Sequence, residues 1–168
     1  MNTVTVRPAL ARDVAAIRDI TQPYVARRIL VPKPPVAYYE AVQEFLVAEH
    51  MGRVVGCGAL HVFWEDLAEI RTVAVAPDTR GLGIGSALVD GLIAEGRRLG
   101  VSRLFCLTFE TAFFGRHGFV PLQGSPVTPK VFAELLRSYD DGTAEFLDLD
   151  RVQPNTLGNT RMILSLPD

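Results

Sequence analysis

Cysteine is scarce in this 168-residue chain. Cys57 and Cys106 are the whole supply, so no disulfide framework can hold it together. Both sit in apolar, strand-like runs and read as buried free thiols, which places the protein in a reducing, cytoplasmic compartment. The three histidines, His50, His61 and His117, are dispersed, and no Cys/His spacing suits zinc, so no metal is expected. No apolar run approaches the roughly 18 residues of a membrane helix. The opening "MNTVTVRPAL" has no charged segment ahead of an apolar stretch, so no signal peptide and no membrane partner are expected. Positive charge is also short: 17 Lys and Arg stand against 19 Asp and Glu, a net charge of −2. The cations are scattered. Without a basic stripe the chain offers no nucleic-acid footprint. Internal repeats and low-complexity segments are missing too.

What is present suits one globular domain over residues 1–168: 48% of residues are apolar and 21% charged. "TVTVRPA" alternates as a strand, and Val14, Ile17 and Ile20 mark a helix that follows it. "VPKPPV" is a stiff extended break, and "AYYEAVQEF" a second short helix. "FLVAEH" and "RVVGCGALHVFW" flank a Met51-Gly52 turn as a hairpin. "LAEIRTVAV" is a long strand. Ile84, Leu88, Leu92 and Ile93 share one face of a helix from Ile84 to Leu99, closed by Gly100. "SRLFCLTF" is a strand buried on both faces. "TAFFGRHGF" is a short helix, "TPKVFAELLRS" a helix capped by Thr128 with Pro129 at its first position, and "RMILSL" a last strand. The acidic "DDGTAEFLDLD" reads as a solvated segment, or else as a lid. Strands outnumber a simple alternation with helices, which predicts an α/β (α+β) mixed sheet with helices on both faces.

The stretch "TVAVAPDTRGLGIGSALVDGLI" carries the chemistry. Gly81, Gly83 and Gly85 strip the side chains from one turn of backbone at a helix start. Bare amides can then converge on an anion, the helix dipole adds positive potential, and Arg80 adds a formal charge. This is a phosphate or pyrophosphate site. It is no P-loop, because Ser86 and Ala87 follow Gly85 where a P-loop has Lys-Ser/Thr. It is no dinucleotide fingerprint either, because the spacing is G-x-G-x-G after about the fourth strand.

"VAVAPDTRGLGIGSALV" resembles the acetyl-coenzyme A motif of the GNAT superfamily of N-acetyltransferases, R/Q-x-x-G-x-G/A, with Arg80, Gly83 and Gly85 in its fixed positions. "TAFFGRHGF" is similar to the later helix of that superfamily. The resemblance implies a GNAT fold of six to seven mostly antiparallel strands with a splayed central pair. It implies acetyl-CoA as cosubstrate. The pyrophosphate would lie on amides from Leu82 through Ile84 to Ser86, and the pantetheine arm along Val73, Ala74 and Val75. Phe114 stands where the superfamily has the tyrosine that protonates the departing thiolate. Thr108, at the end of the neighbouring strand, can hydrogen-bond the sulfur instead, or solvent can serve.

Amine acetylation needs a neutral amine, so something must take its proton. Glu69 is the candidate base. By strand alternation it shares a face with Arg71, Val73 and Val75, on the pantetheine side. The bland alternative is a Glu69–Arg71 ion pair with a structural role.

"EFLVAEH", "VVGCGALHVFWEDLAEIRTVAV", "LFCLTFETAFFGRHGF" and "NTRMIL" resemble the bacterial N-acetylglutamate synthases, most closely the short stand-alone actinobacterial type. That resemblance implies transfer of acetyl to the α-amine of L-glutamate or L-glutamine, the first step of arginine biosynthesis. It is expected to lack the amino-acid-kinase-like domain of the larger form. A carboxylate substrate calls for cations, and bidentate arginine is the usual clamp. Lys33, Arg71 and Arg161 are the candidates, with Asn159 as a further polar ligand. His61 reads as a core or pocket-wall residue, and Phe109, Phe113, Phe114 and Phe119 as core. Phe63 and Trp64 read as a pocket wall or as an edge for a homodimer. Two other readings stay open: acetylation of another small amine or of a protein N-terminus, and a silent acyl-CoA-binding module.

Overall fold

The computed structural model describes residues 3–151 and 158–167. Seven strands form one sheet: β1 (Thr5–Pro8), β2 (Phe45–His50), β3 (Arg53–Trp64), β4 (Leu67–Val75), β5 (Arg103–Thr108), β6 (Val120–Pro121) and β7 (Thr160–Ser165). Their spatial order is β1-β2-β3-β4-β5-β7-β6. All neighbours are antiparallel except β4 and β5. Those two pair in parallel only where Leu67–Glu69 meet Arg103–Phe105, and then diverge. The expected mixed sheet with a splayed central pair is therefore present.

Helices cover both faces. α1 (Val14–Ala26) and α2 (Pro35–Glu40) precede the hairpin, and α3 (Ile84–Leu99) crosses from β4 to β5. α4 (Thr111–Arg116), α5 (Pro129–Leu135) and α6 (Asp141–Phe146) follow. On the α3 face Val89, Leu92, Phe114 and Phe119 pack with Leu60, Leu104, Cys106 and Met162. On the other face Ile17 and Tyr38 meet Phe45 and Cys57, and Phe146 meets Phe63, Leu67 and Phe105. Leu104, Phe105 and Cys106 thus alternate between two cores, which is why β5 reads as an unbroken apolar run. Burying α3 through Ile84, Leu88, Leu92 and Ile93 supplies on the order of 1.5–3 kcal/mol per side chain against exposure.

Several expectations need correction. Pro35 opens α2 rather than ending an extended loop, and the helix stops at Glu40, because Val42–Glu44 form a 3-10 turn into β2. Phe109 lies beyond β5 and is 42% exposed, so it is not core. Phe63 is buried, while Trp64 stays on the surface side of β3. The acidic segment is not solvated: α6 buries Thr143, Ala144 and Phe146, with Asp140 capping its start through the Thr143 amide at 2.7 Å.

The largest correction concerns strand alternation. Cys57 faces Ala74 across the β3–β4 ladder, but Ala59 faces Arg71, so β4 holds one extra residue there. Thr72 takes it up in the left-handed region, φ 57°. A bulge reverses side-chain parity. Glu69 and Arg71 therefore point with Ala59 and His61, whereas Val73 and Val75 pack on the α3 side. The four do not share one face.

Candidate active site

The divergence of β4 from β5 opens a cavity of about 530 Å³. Its walls are Val73, Ala74 and Val75 on one side and Leu107, Thr108, Phe113 and Phe114 on the other, and it runs to Arg80 and Gly85. A second cavity of about 50 Å³ is lined by Lys33, Glu69, Gly142, Glu145 and Asn159. Ile29, Leu30, Ile70, Arg71, Thr72 and Leu107 line both. The two spaces therefore meet at the bulge.

The far end of the large cavity is the start of α3. Gly81 and Gly83 sit at φ 85° and 73°, and a Cβ at either would meet nothing within 4 Å. Backbone geometry, not crowding, demands glycine there, and the space beside it is open. No side chain among the described residues caps α3. The first bond into it is donated by Ala87 to Gly83, so the amides of Ile84, Gly85 and Ser86 have no helical acceptor. The Ile84 side chain is buried in the core and only its amide is on offer, while Leu82 is half-exposed. Arg80, Arg27 and Arg116 add three guanidinium groups to the cavity wall. This chemistry fits a polyphosphate with a long arm. Arg27 and Arg116 were not foreseen; each stacks on an aromatic ring, Tyr24 and Phe113 respectively.

Tyr24 was also unforeseen. Its hydroxyl donates to the Val75 carbonyl at 2.9 Å, and the Val75 amide reaches back to it at 3.4 Å. Of the backbone groups expected to meet a pantetheine arm, those of Val75 are thus held by a side chain of α1. Phe114 is buried edge-to-face against Phe113 and Phe119. The Thr108 hydroxyl oxygen accepts from the Glu110 amide at 2.8 Å, a strand-end cap that leaves its own proton to donate.

The small cavity is dominated by one arginine. Arg71 donates from Nε to Glu69 at 2.8 Å and from Nη1 to both Asp140 oxygens at 2.8 and 3.0 Å. Its Nη2 is buried with no hydrogen-bond partner among the described residues. Burial pushes the Glu69 carboxyl up, with Arg71 and His61 pulling against it. Burial also opposes ionisation of Asp140, yet Arg71 and His61 hold it down at about 2. Burial and the nearby Arg71 lower Lys33. His61 lines neither cavity; it is bonded to Glu44 at 2.8 Å and edge-on to Phe63.

Arg161 departs from expectation. It lines neither cavity; its guanidinium lies over the rings of Phe105 and Phe146 and donates to the Phe146 carbonyl at 3.0 Å. Gly142 and Glu145 of α6 line the small cavity instead, with Asp140 at the helix start bonded to Arg71. A capping aspartate followed three residues later by Thr143, with Phe146 and Leu147 beyond, was the available signal. Among the described residues no group of three or more His, Cys, Asp or Glu is placed to hold a metal, and no helix is long and apolar enough to cross a membrane.

Comparison with known proteins agrees with this geometry. Residues 15–119 match the acetyltransferase (GNAT) family. An amino-acid acetyltransferase of Mycobacterium tuberculosis is 58% identical over 164 residues, covering 96% of this chain and 94% of that protein. The crystal structure of Rv2747 from Mycobacterium tuberculosis, in complex with CoA and NLQ, superposes with a TM-score of 0.93 at 58% identity, over 97% of this chain and 99% of that one. An amino-acid acetyltransferase of Ralstonia nicotianae is 37% identical over 68% of this chain, which spans only 26% of that protein. The resemblance to the short stand-alone type is borne out.

Proposed function

We propose, from the premise that this chain belongs to the GNAT family of acetyltransferases, that it transfers the acetyl group of acetyl-CoA to the α-amine of L-glutamate or L-glutamine. The observation that carries this reading is the meeting of the two cavities at Arg71 and Thr72: an anion-binding loop at one end, a carboxylate and two cations at the other. The 58%-identical relative, an amino-acid acetyltransferase, supports the acceptor class. We place the reaction at the head of arginine biosynthesis, in a reducing cytoplasm where Cys57 and Cys106 stay thiols, with residues 1–168 acting as one domain and a free amino acid, not a nucleic acid, as partner.

Acetyl-CoA brings an activated thioester and a thiolate leaving group. The rest falls to the chain. Amides from Leu82 to Ser86, with Arg80, hold the diphosphate, and the exposed edge of Val73–Val75 guides the arm once Tyr24 yields. Lys33, Asn159 and the unpartnered Nη2 of Arg71 orient the amino-acid carboxylate and side chain. Glu69 takes a proton from the acceptor nitrogen, directly or through a water. Thr108 donates to the departing sulfur in the absence of the usual tyrosine. Arg161, whose guanidinium lies over Phe105 and Phe146, is kept as a further candidate cation for the acceptor. The test is thiol release from acetyl-CoA with each amino acid in turn. Turnover with glutamate or glutamine alone is expected, and turnover only with unrelated amines would reject the acceptor.

A further inference from the structure

The acceptor cavity holds a second carboxyl that the scheme above leaves idle. Glu145, on α6, lines it beside Glu69, Arg71, Lys33 and Asn159. Glu69 is 2% exposed and tied to Arg71, whereas Glu145 is half-buried at the wall. Among the described residues no hydrogen bond reaches the Glu145 carboxylate. Glu69 and Asp140 repel its charge through space, and Lys33 and Arg71 attract it. It is placed there by the Arg71–Asp140 pair, which docks the start of α6 on β4.

Proton balance asks for such a group. An α-ammonium that ends as a secondary amide sheds two protons. One must leave before nitrogen has a lone pair to attack with; the other leaves once the C–N bond exists. One ends on the thiolate and one in water. A single sealed carboxylate would stay loaded after the first transfer. We propose that Glu145 is a second catalytic carboxyl of the acceptor site, taking the first proton of the substrate ammonium and passing it to solvent. This rests on the reading that the acceptor is an α-amino acid. In the step, an N–H bond breaks and its electron pair stays on nitrogen while the proton moves to a Glu145 oxygen. Nitrogen then bonds the thioester carbon, the C–S pair leaves with sulfur, and the second proton passes from nitrogen to Glu69 or water, which resupplies the Thr108 hydroxyl as it protonates sulfur. Burial, with Glu69 next, pushes the Glu145 carboxyl up to about 8. That suits a base working near neutral pH.

The test compares wild type, Glu145→Gln and Glu145→Asp over pH, with carboxyl ¹³C NMR of glutamate-labelled protein as a readout independent of turnover. In wild type kcat/KM for the amino acid is expected to rise through about pH 8 as Glu145 ionises, and one carboxyl resonance should titrate there. Glu145→Gln should lose that resonance and that limb, with kcat down about 100-fold or more and the acetyl-CoA KM within about twofold. Glu145→Asp should keep the limb at reduced kcat. Unchanged kcat and pH limb in both variants, or no glutamate resonance titrating in the high range, would overturn the assignment alone. A wild-type protein that releases no thiol with any α-amino acid would overturn the acceptor reading and this assignment together.

Discussion

Gly142 lies flat against the guanidinium of Arg71. A Cβ built on it would stand 2.5 Å from both Cζ and Nη1 of that arginine. No L side chain fits there unless the Arg71 guanidinium moves, and its bonds to Glu69 and Asp140 oppose that movement. Gly142→Ala should therefore displace Arg71 and raise the amino-acid KM by about tenfold, roughly the 1.4 kcal/mol that a misplaced clamp costs. The acetyl-CoA KM should barely move. Initial-rate kinetics with each substrate varied in turn check this, and equal effects on both KM values would contradict it.

Arg71 itself joins Glu69 to Asp140. Removing one partner of a buried ion pair leaves an uncompensated charge and costs about 3–5 kcal/mol. Arg71→Ala should lower stability toward that range in urea unfolding. It should also raise the amino-acid KM far more than the cofactor KM. An unaltered denaturation midpoint would mean that Glu69 simply takes up a proton.

Asp140 gives a pH signature. Its folded pKa, about 2, lies below the ordinary aspartate value. Its contribution to stability is therefore complete above about pH 4 and disappears as pH falls toward 2, on the order of 2 kcal/mol in all. Asp140→Asn should be less stable than wild type at pH 7, with the gap closing on acidification. Thermal melts across that window measure it.

Tyr24 covers the backbone of Val75 with its hydroxyl. Tyr24→Phe uncovers those groups. Coenzyme A should then bind several-fold more tightly, since about 1 kcal/mol of competing hydrogen bond is gone. Calorimetric titration reads the change; weaker binding would mean that Tyr24 holds the arm rather than its place.

Much of this was legible in the chain. Helix α3 begins and ends where apolar periodicity and Gly100 put it, and Met51-Gly52 turns with both residues at positive φ. Thr128 caps α5, accepting from Val131 at 3.3 Å. These are local signals, decided by a few adjacent residues. The bulge was not legible, because a β-branched threonine is the last residue one would place at φ 57°. Parity arguments from Glu69 to Val75 failed for that reason alone. Helix α6 was hidden by its own acids, which mask the apolar Phe146 and Leu147. The pairing of Arg71 with Asp140 spans 69 residues and has no sequence signature at all. The place of Arg161 over two phenylalanine rings was not legible either, because a cation beside a strand looks the same in sequence whatever it faces.

That the loop at Gly81–Gly85 and the carboxylate at Glu69 serve one reaction is tested most directly by Glu69→Gln. Acetyl transfer to glutamate or glutamine and coenzyme A binding are measured on the same preparation. Turnover should fall by about 100-fold or more while coenzyme A binds as to wild type. Undiminished turnover would remove Glu69 from the chemistry and separate the acceptor cavity from the reaction.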